Sequence, residues 1–198
     1  MAAKRMFMKL LGGSLLFAGV GAGTNGMLRE ALSKPSGERP FPNHVLHTHD
    51  GSKVRFYDDL IKGKVVVFNM MYTVCAGICP ANTASLLQVQ QALGERVGRD
   101  VFIYSLTLRP EMDTAEALRE YAGRYGAAKG WTFLTGVPAE VEEIRRAMGF
   151  YDSDPVADAD IANHTGILRI GNDRHDRWLM TPTVIPTRQI VKSILNII

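Results

Sequence analysis

The sequence predicts an α/β fold, with a central and partly parallel sheet covered by helices on both faces. Three runs have the apolar, β-branched character of buried strands: KVVVFNMM (64–71), DVFIYSLTL (100–108) and GWTFLTG (130–136). Each run is followed by apolar residues at helical spacing, and this alternation is typical of parallel sheets. A chain of 198 residues, 46% hydrophobic and 22% charged, can bury a sizeable core in one domain.

A β-hairpin is predicted ahead of these strands, and a second antiparallel pair after them. HVLHTHDGSKVRFYD (44–58) has two short alternating runs around Asp50 and Gly51, which is a strong hairpin signal. HTGILRI (164–170) and DRWLM (176–180) are predicted as antiparallel strands joined by GNDRH, and the acidic segment 151–163 before them as a loop. A last helix is predicted to place Ile190, Val191, Ile194 and Leu195 on one side.

The three central helices have recognisable ends. Pro80 suits the first turn of a helix that Gly94 would end. Asp113 and Thr114 are predicted to cap the next helix, and Gly149 follows the third where a glycine commonly ends a helix. The predicted order is therefore a hairpin, then β-α-β-α-β-α, then β-β-α.

Residues 1–23 are predicted to be an export signal or a membrane anchor, and residues 24–43 a polar, proline-containing linker to a domain at 44–198. The leader combines a basic start with a short apolar, glycine-rich run, as an export signal does. KRMFMK (4–9) resembles a twin-arginine signal with lysine in the first basic position; an ordinary secretory signal and an uncleaved anchor are the alternatives. We expect a periplasmic location, free or tethered to the inner membrane.

The charge of the chain gives no reason to expect a nucleic-acid partner. The formal net charge is +3, and Lys4, Arg5 and Lys9 in the leader account for it, so the rest of the chain is neutral.

Two cysteines, Cys75 and Cys79, follow the first long strand directly and precede a helix. By analogy, this placement resembles that of the thioredoxin-like fold, and unpaired N–H groups at a helix start favour the reactive thiolate. A structural disulfide across so short a loop would add little stability. Thioredoxin-type redox motifs have two intervening residues, whereas AGI supplies three here. A redox pair and a metal clamp therefore both remain open.

Two thiolates select Cu(I), Zn(II) or iron–sulfur centres. Two cysteines are too few for a zinc site or an iron–sulfur cluster held by cysteine alone, so a further ligand must come from elsewhere in the chain. His164, just before a predicted strand, is the leading candidate; its alternative role is to cap that strand. We expect His47 and His49 to be exposed rather than a second metal pair, and His175 to lie in an exposed turn.

Several other residues near the cysteines have an ordinary structural explanation as well as a functional one. Met70 and Met71 could assist copper, but strand alternation favours core packing. Arg109 and Glu111 follow the second strand and could add charge near the site or be simple loop residues. Trp131 and Trp178 are predicted in the core or at its rim.

At this point the chain resembles a known family. Residues 44 to about 196 resemble the SCO (SenC-type) copper-binding proteins. The resemblance lies in four segments: HTHDGSKVRFYDDLIKGKVVVFNMMYT, MYTVCAGICP, RPEMDTAEALREYA and NHTGILRI. The resemblance implies a thioredoxin-like fold and delivery of copper to the dinuclear copper centre of cytochrome oxidase. By position it implies the copper ligands Cys75, Cys79 and His164.

Two residues depart from the family's pattern. The family usually has an acid where Arg109 stands, although Pro110, Asp113 and Thr114 match, and it often has Asp where this chain has Asn163. A carboxylate near the metal helps to hold Cu(II) and to orient an imidazole. Its replacement bears on affinity and oxidation state rather than on the ligand set.

The main interpretation is a metallochaperone, which catalyses no reaction and passes copper to a cuproprotein client by ligand exchange. A copper carrier or a thiol reductant would be a further partner. The alternative is a thiol-disulfide oxidoreductase that keeps client cysteines reduced, with Cys75 as nucleophile and Cys79 as the resolving thiol. His164 distinguishes the metallochaperone from the oxidoreductase, because only the copper site requires this residue. A peroxiredoxin-like activity has little support, since Thr73 lies two residues before Cys75 rather than three.

Overall fold

A mixed β-sheet organises the residues that the structure, a computed structural model, describes: 40–160 and 166–198. Within those ranges it has seven strands, in the spatial order β2-β1-β5-β4-β3-β6-β7. Their bounds are β1 Val45–Thr48, β2 Lys53–Arg55, β3 Val65–Met71, β4 Val101–Thr107, β5 Trp131–Thr135, β6 Ile167–Asn172 and β7 Arg177–Pro182.

The centre of the sheet is parallel and its two edges are antiparallel. β3 pairs with β4 in parallel from Val65 opposite Val101, and β4 pairs in parallel with β5. β1 is antiparallel to β5, and β6 is antiparallel to β3. The carboxyl ends of β3 and β4 therefore meet at one edge of the sheet, where open α/β sheets commonly bind ligands.

Helices cover both faces of the sheet. The α-helices within the described ranges are α1 Cys79–Leu93, α2 Ala115–Tyr125, α3 Pro138–Ala147, α4 Pro155–Ala159 and α5 Thr187–Leu195. Helices α1, α2 and α5 pack with Val65, Val67 and Met71 in one core. The other face of β3, with Val66, Phe68 and Met70, packs against α3 and a π-helical turn at Phe56–Ile61. Burial on both faces explains why β3 is apolar throughout.

The predicted fold class is confirmed, with three local differences. The turn at Phe56–Ile61 and helix α4 were not predicted. The segment around α4 was predicted as a loop, but Asp154 caps the helix at the Val156 N–H and Pro155 begins it. In α5, Ile190 and Ile194 are buried as predicted, whereas Leu195 is 44% exposed because the next helical position turns away from the core.

The predicted leader (1–23) and most of the predicted linker (24–43) lie outside the described residues, so their boundaries stay predictions. Among the residues the structure does describe, none of the helices combines the length and the apolar character required to cross a membrane.

Candidate metal centre

Cys75 and Cys79 lie between the end of β3 and the first turn of α1. Cys79 is the first residue of the helix, and Pro80 occupies an early position that needs no N–H donor, as predicted. Cys75 lies in the preceding loop rather than on a helical turn. The two sulfur atoms meet because the loop folds back over the helix start, where the backbone N–H groups of Gly77 and Cys79 hydrogen-bond to Cys75.

The two thiols are strongly inequivalent. Burial raises the pKa of Cys75, but hydrogen bonds from the Cys79 side chain, from two backbone N–H groups and from Tyr72 outweigh it, so the net pKa is lowered. Deeper burial, and then the hydrogen bond to Cys75, raise the pKa of Cys79 to about 12. Both residues are thiols rather than halves of a disulfide. The surroundings therefore favour the thiolate form at Cys75 and the protonated thiol at Cys79.

Tyr72 is a member of the site that the sequence did not reveal. Its side chain hydrogen-bonds to Cys75, and this bond, followed by burial, raises the pKa of the phenol. Its carbonyl also accepts the Cys75 N–H at 3.3 Å. The only sequence signal was its position directly after a buried strand and before the cysteines.

Asp113 anchors the cysteine loop to the end of β4. Its side chain is fully buried and accepts hydrogen bonds from the Thr73 N–H at 3.1 Å and from the hydroxyl groups of Thr73 and Thr107. Of the two predicted caps of α2, Thr114 makes the capping bond, to the Ala117 N–H at 3.2 Å. Asp113 instead connects the two loops that form the site.

Arg109 packs against Tyr72 at the same edge of the sheet. Its guanidinium lies 5.5 Å from the centroid of the tyrosine ring, and its Nε is buried with no hydrogen-bond partner. Glu111, the other charged residue predicted near the site, is exposed.

The chain returns to the helix that carries Cys79 at the start of β6. Gly166 packs so closely there that an added Cβ would lie 2.8 Å from both Ile78 Cδ1 and Asn82 Oδ1. Thr183 joins the two segments: its N–H donates to the Gly166 carbonyl at 2.7 Å, and its hydroxyl donates to buried Asn82. Gly166 is thus fixed beside the first turn of α1.

His164 and Asn163 lie outside the described residues, so the third predicted ligand stays a prediction. Among residues 40–160 and 166–198, no cluster of three or more His, Cys, Asp or Glu side chains is arranged to hold a metal ion. The described part of the site thus supplies two sulfur donors.

The remaining histidines serve other purposes. His47 and His49 are half-buried rather than exposed, and His49 Nδ1 accepts the Phe133 N–H at 3.2 Å. His44 contacts Glu143 at 2.7 Å, and His175 is exposed in a turn as predicted.

The methionines and tryptophans follow the structural expectation. Met70 and Met71 are buried on opposite faces of β3, as strand alternation predicts. Trp131 is buried in the core, and Trp178 lies at its edge.

The segment that leads to residues 161–165 is anchored to α3. Arg145 forms a bidentate ion pair with Asp158, with N···O distances of 2.7 and 2.9 Å. This pair holds the pKa of the Asp158 carboxyl group well below its usual range. A cavity of about 570 Å³ lies beside this pair, against Met70 and Leu108. Neither cysteine lines it, so the cavity is separate from the thiol site.

Comparison with known families agrees with this geometry. The family model for SCO1/SenC matches residues 34–198, which include both cysteines and the whole described sheet. The chain belongs to the SCO1/SenC family.

Two curated relatives of this SCO1/SenC protein match over part of their length. The SCO1 protein homolog of Bacillus subtilis is 35% identical over 103 residues, which are 50% of this chain and 51% of that protein. The mitochondrial SCO1 homolog 1 of Arabidopsis thaliana is 28% identical over 119 residues, 57% of this chain and 34% of that protein. The matches thus span about half of the first relative and about a third of the second.

Solved structures share the fold over most of the domain. The copper-bound ScoI of Arabidopsis thaliana superposes with a TM-score of 0.63 at 19% identity, covering 80% of this chain and 97% of that one. A SCO1/SenC family lipoprotein from Bacillus anthracis gives 0.64 at 19% identity, covering 79% and 94%. BsSco, described as a member of the Sco family of cytochrome c oxidase assembly proteins with a disulfide switch, superposes with a TM-score of 0.62 at 26% identity, covering 77% of this chain and 90% of that one.

Proposed function

We propose that this protein is a copper-binding assembly factor that holds the ion with Cys75, Cys79 and His164 and passes it to a cuproprotein. The dinuclear copper centre of cytochrome c oxidase is the client we propose. The observation that carries the proposal is the pair of hydrogen-bonded thiols at the start of α1. Two thiolates on one face of a site are the donors that soft Cu(I) prefers.

Three further points support the proposal. The backbone N–H groups that contact Cys75 favour the thiolate form that a metal requires. Gly166 packs against Ile78 and Asn82, which flank Cys79. Two residues span at most about 7 Å, so the chain length between Gly166 and His164 allows the imidazole that we propose as a ligand to reach that helix turn. Structural relatives in Arabidopsis thaliana and Bradyrhizobium japonicum contain copper.

The site suits a carrier that releases its cargo. Transfer would proceed by ligand exchange, in which a client thiolate replaces one protein ligand at a time. Cys75 lies in the loop rather than in the helix, at the accessible side of the pair, and is 9% exposed against 1% for Cys79. We further propose export and a location at the periplasmic face of the membrane, which the basic and apolar leader and the Bacillus anthracis lipoprotein support.

Thiol-disulfide exchange is the second candidate, and the inequivalence of the thiols favours it. The Cys75 thiolate would attack one sulfur of a client disulfide and release the other as a client thiol. Cys79 would then lose its proton and attack the mixed disulfide, so that both client thiols are reduced and Cys75 and Cys79 become oxidised to a disulfide. His164 takes no part in these steps.

Competition titration separates the two functions. The reduced, anaerobic protein is titrated with Cu(I) against a chelator of known affinity, alongside Cys75→Ser, Cys79→Ser and His164→Ala. Removing even an outer partner of a metal ligand typically costs about 10–100-fold in affinity, so each variant should lose at least that. His175→Ala, an exposed histidine, is the matched control and should bind like the wild type. Binding that is weak, or indifferent to His164, contradicts the copper proposal and leaves the exchange reaction.

A further inference from the structure

Arg109 places a permanent positive charge against the tyrosine ring that contacts Cys75. The guanidinium lies 5.5 Å from the ring centroid of Tyr72, and the hydroxyl group of the same tyrosine hydrogen-bonds to Cys75. That hydrogen bond is the main reason that the pKa of Tyr72 is raised, and the charge of Arg109 opposes it. One tyrosine ring therefore separates the cation from a copper ligand.

Among residues 40–160 and 166–198, no carboxylate forms an ion pair with Arg109. Its Nε is buried without a hydrogen-bond partner, and Tyr72 is the ring on which it packs. The nearby carboxylate of Asp113 is occupied by Thr73 and Thr107. Arg109 is partly buried, and a cation partly withdrawn from water is stabilised when a negative charge arises beside it.

Such a charge arises in one oxidation state of the proposed centre. Two thiolates and a neutral imidazole around Cu(I) carry a net charge of −1, whereas the same ligands around Cu(II) are neutral. We propose that Arg109 is a specificity-determining residue that favours Cu(I) over Cu(II) at the thiol site. This inference rests on the proposed copper-binding function and adds an oxidation-state preference to it.

The expected size of the effect follows from Coulomb's law. A unit charge on the order of 10 Å from the complex, at an effective dielectric constant of about 20, changes the relative affinity for the two ions by roughly tenfold. For a one-electron couple, tenfold corresponds to about 59 mV. Charges and protons of the metal-free site cancel in this comparison, because both ions bind the same starting protein.

The structure offers a matched control. Among the described residues, Arg169 is the other arginine whose Nε is buried without a hydrogen-bond partner, and it lies 5.4 Å from the ring centroid of Trp178. Arg169 pairs with Phe68, whose side chain belongs to the core on the face away from the cysteines. It has the same local chemistry without the neighbouring thiols.

The test measures the affinities for Cu(I) and Cu(II), and the reduction potential of the loaded protein, for the wild type, Arg109→Gln, Arg109→Lys and Arg169→Gln. Arg109→Gln should lower the Cu(I)-over-Cu(II) affinity ratio about tenfold and the potential by about 59 mV. Arg109→Lys, which keeps the charge, and Arg169→Gln should stay within about threefold of the wild type. If Arg109→Gln loses its cooperative unfolding transition, Arg109→Met, with an apolar side chain against Tyr72, takes its place.

The possible failures are distinguishable. If the wild type binds copper and Arg109→Gln leaves the Cu(I)-over-Cu(II) affinity ratio unchanged, only the proposed role of Arg109 is overturned. An equal drop in Arg169→Gln overturns it too, because the effect would then be general to arginines packed against an aromatic ring. Wild type that binds neither ion overturns the copper site itself.

Discussion

The carboxylate of Asp113 holds the cysteine loop, and Asp113→Asn tests how much that connection contributes. The carboxylate accepts hydrogen bonds from the N–H and hydroxyl of Thr73 and from the hydroxyl of Thr107. Asparagine has the same shape, but one acceptor oxygen becomes an NH₂ group that faces donors. At least one bond to a charged acceptor is lost, and a buried donor is left without a partner.

The magnitude follows from these contacts. A hydrogen bond to a charged group contributes about 1.5–3 kcal/mol, and an unsatisfied buried donor costs about 1–3 kcal/mol. We therefore expect Asp113→Asn to lower the free energy of unfolding by roughly 3 kcal/mol. For a chain of this size, that corresponds to a fall in melting temperature of roughly 6–12 °C.

Thermal and urea unfolding of the reduced, metal-free protein measure this effect. Asp100→Asn is the control, because Asp100 forms a surface pair with Arg99 at 3.0 Å and its loss should leave the melting temperature unchanged. A melting temperature of Asp113→Asn within about 2 °C of the wild type would refute the argument that these bonds hold the loop.

Two other predictions use single side chains. Gly171→Ala places a Cβ 2.0 Å from the ring of Trp178, so it should lower the free energy of unfolding by about 1–3 kcal/mol. Gly123→Ala, in open space on α2, should raise the free energy of unfolding by roughly 0.5–1 kcal/mol in the same urea unfolding assay. Equal effects of the two substitutions would show that the contact between Gly171 and Trp178 does not constrain the side chain at position 171. In limited alkylation across pH 6–10, Cys75 should react first, and the midpoint of its rate against pH should lie below the ordinary thiol pKa of 9.0. Cys79, with a pKa of about 12, should remain unmodified. Peptide mapping that finds the first adduct on Cys79 would reverse the assignment of the two thiols.

The strand-and-helix order was predictable because each element carries a local signal. The seven buried residues of β3 show as a continuous apolar run, and Pro80 marks the start of α1. The spatial order of the strands was not predictable in this way, since it depends on which crossovers pack. Helix α4 was missed because its five residues are too few for a periodic pattern, and one aspartate cap with a proline decides it.

The site was predictable in its chemistry and less so in its geometry. Two cysteines between a strand and a helix indicated a thiol pair, but not that the Cys75 loop folds back to meet Cys79. The role of Asp113 could not be distinguished from helix capping, because both use a carboxylate just before a helix. Tyr72 has no motif at all; its role comes from a turn that only the folded chain makes.

X-ray absorption spectroscopy of the Cu(I)-loaded, reduced protein tests the central claim most directly. The account predicts two sulfur ligands and one nitrogen ligand per copper ion, with the nitrogen scattering lost in His164→Ala and kept in His175→Ala. A centre with sulfur ligands alone, or a nitrogen signal that survives the loss of His164, would contradict the three-ligand copper site.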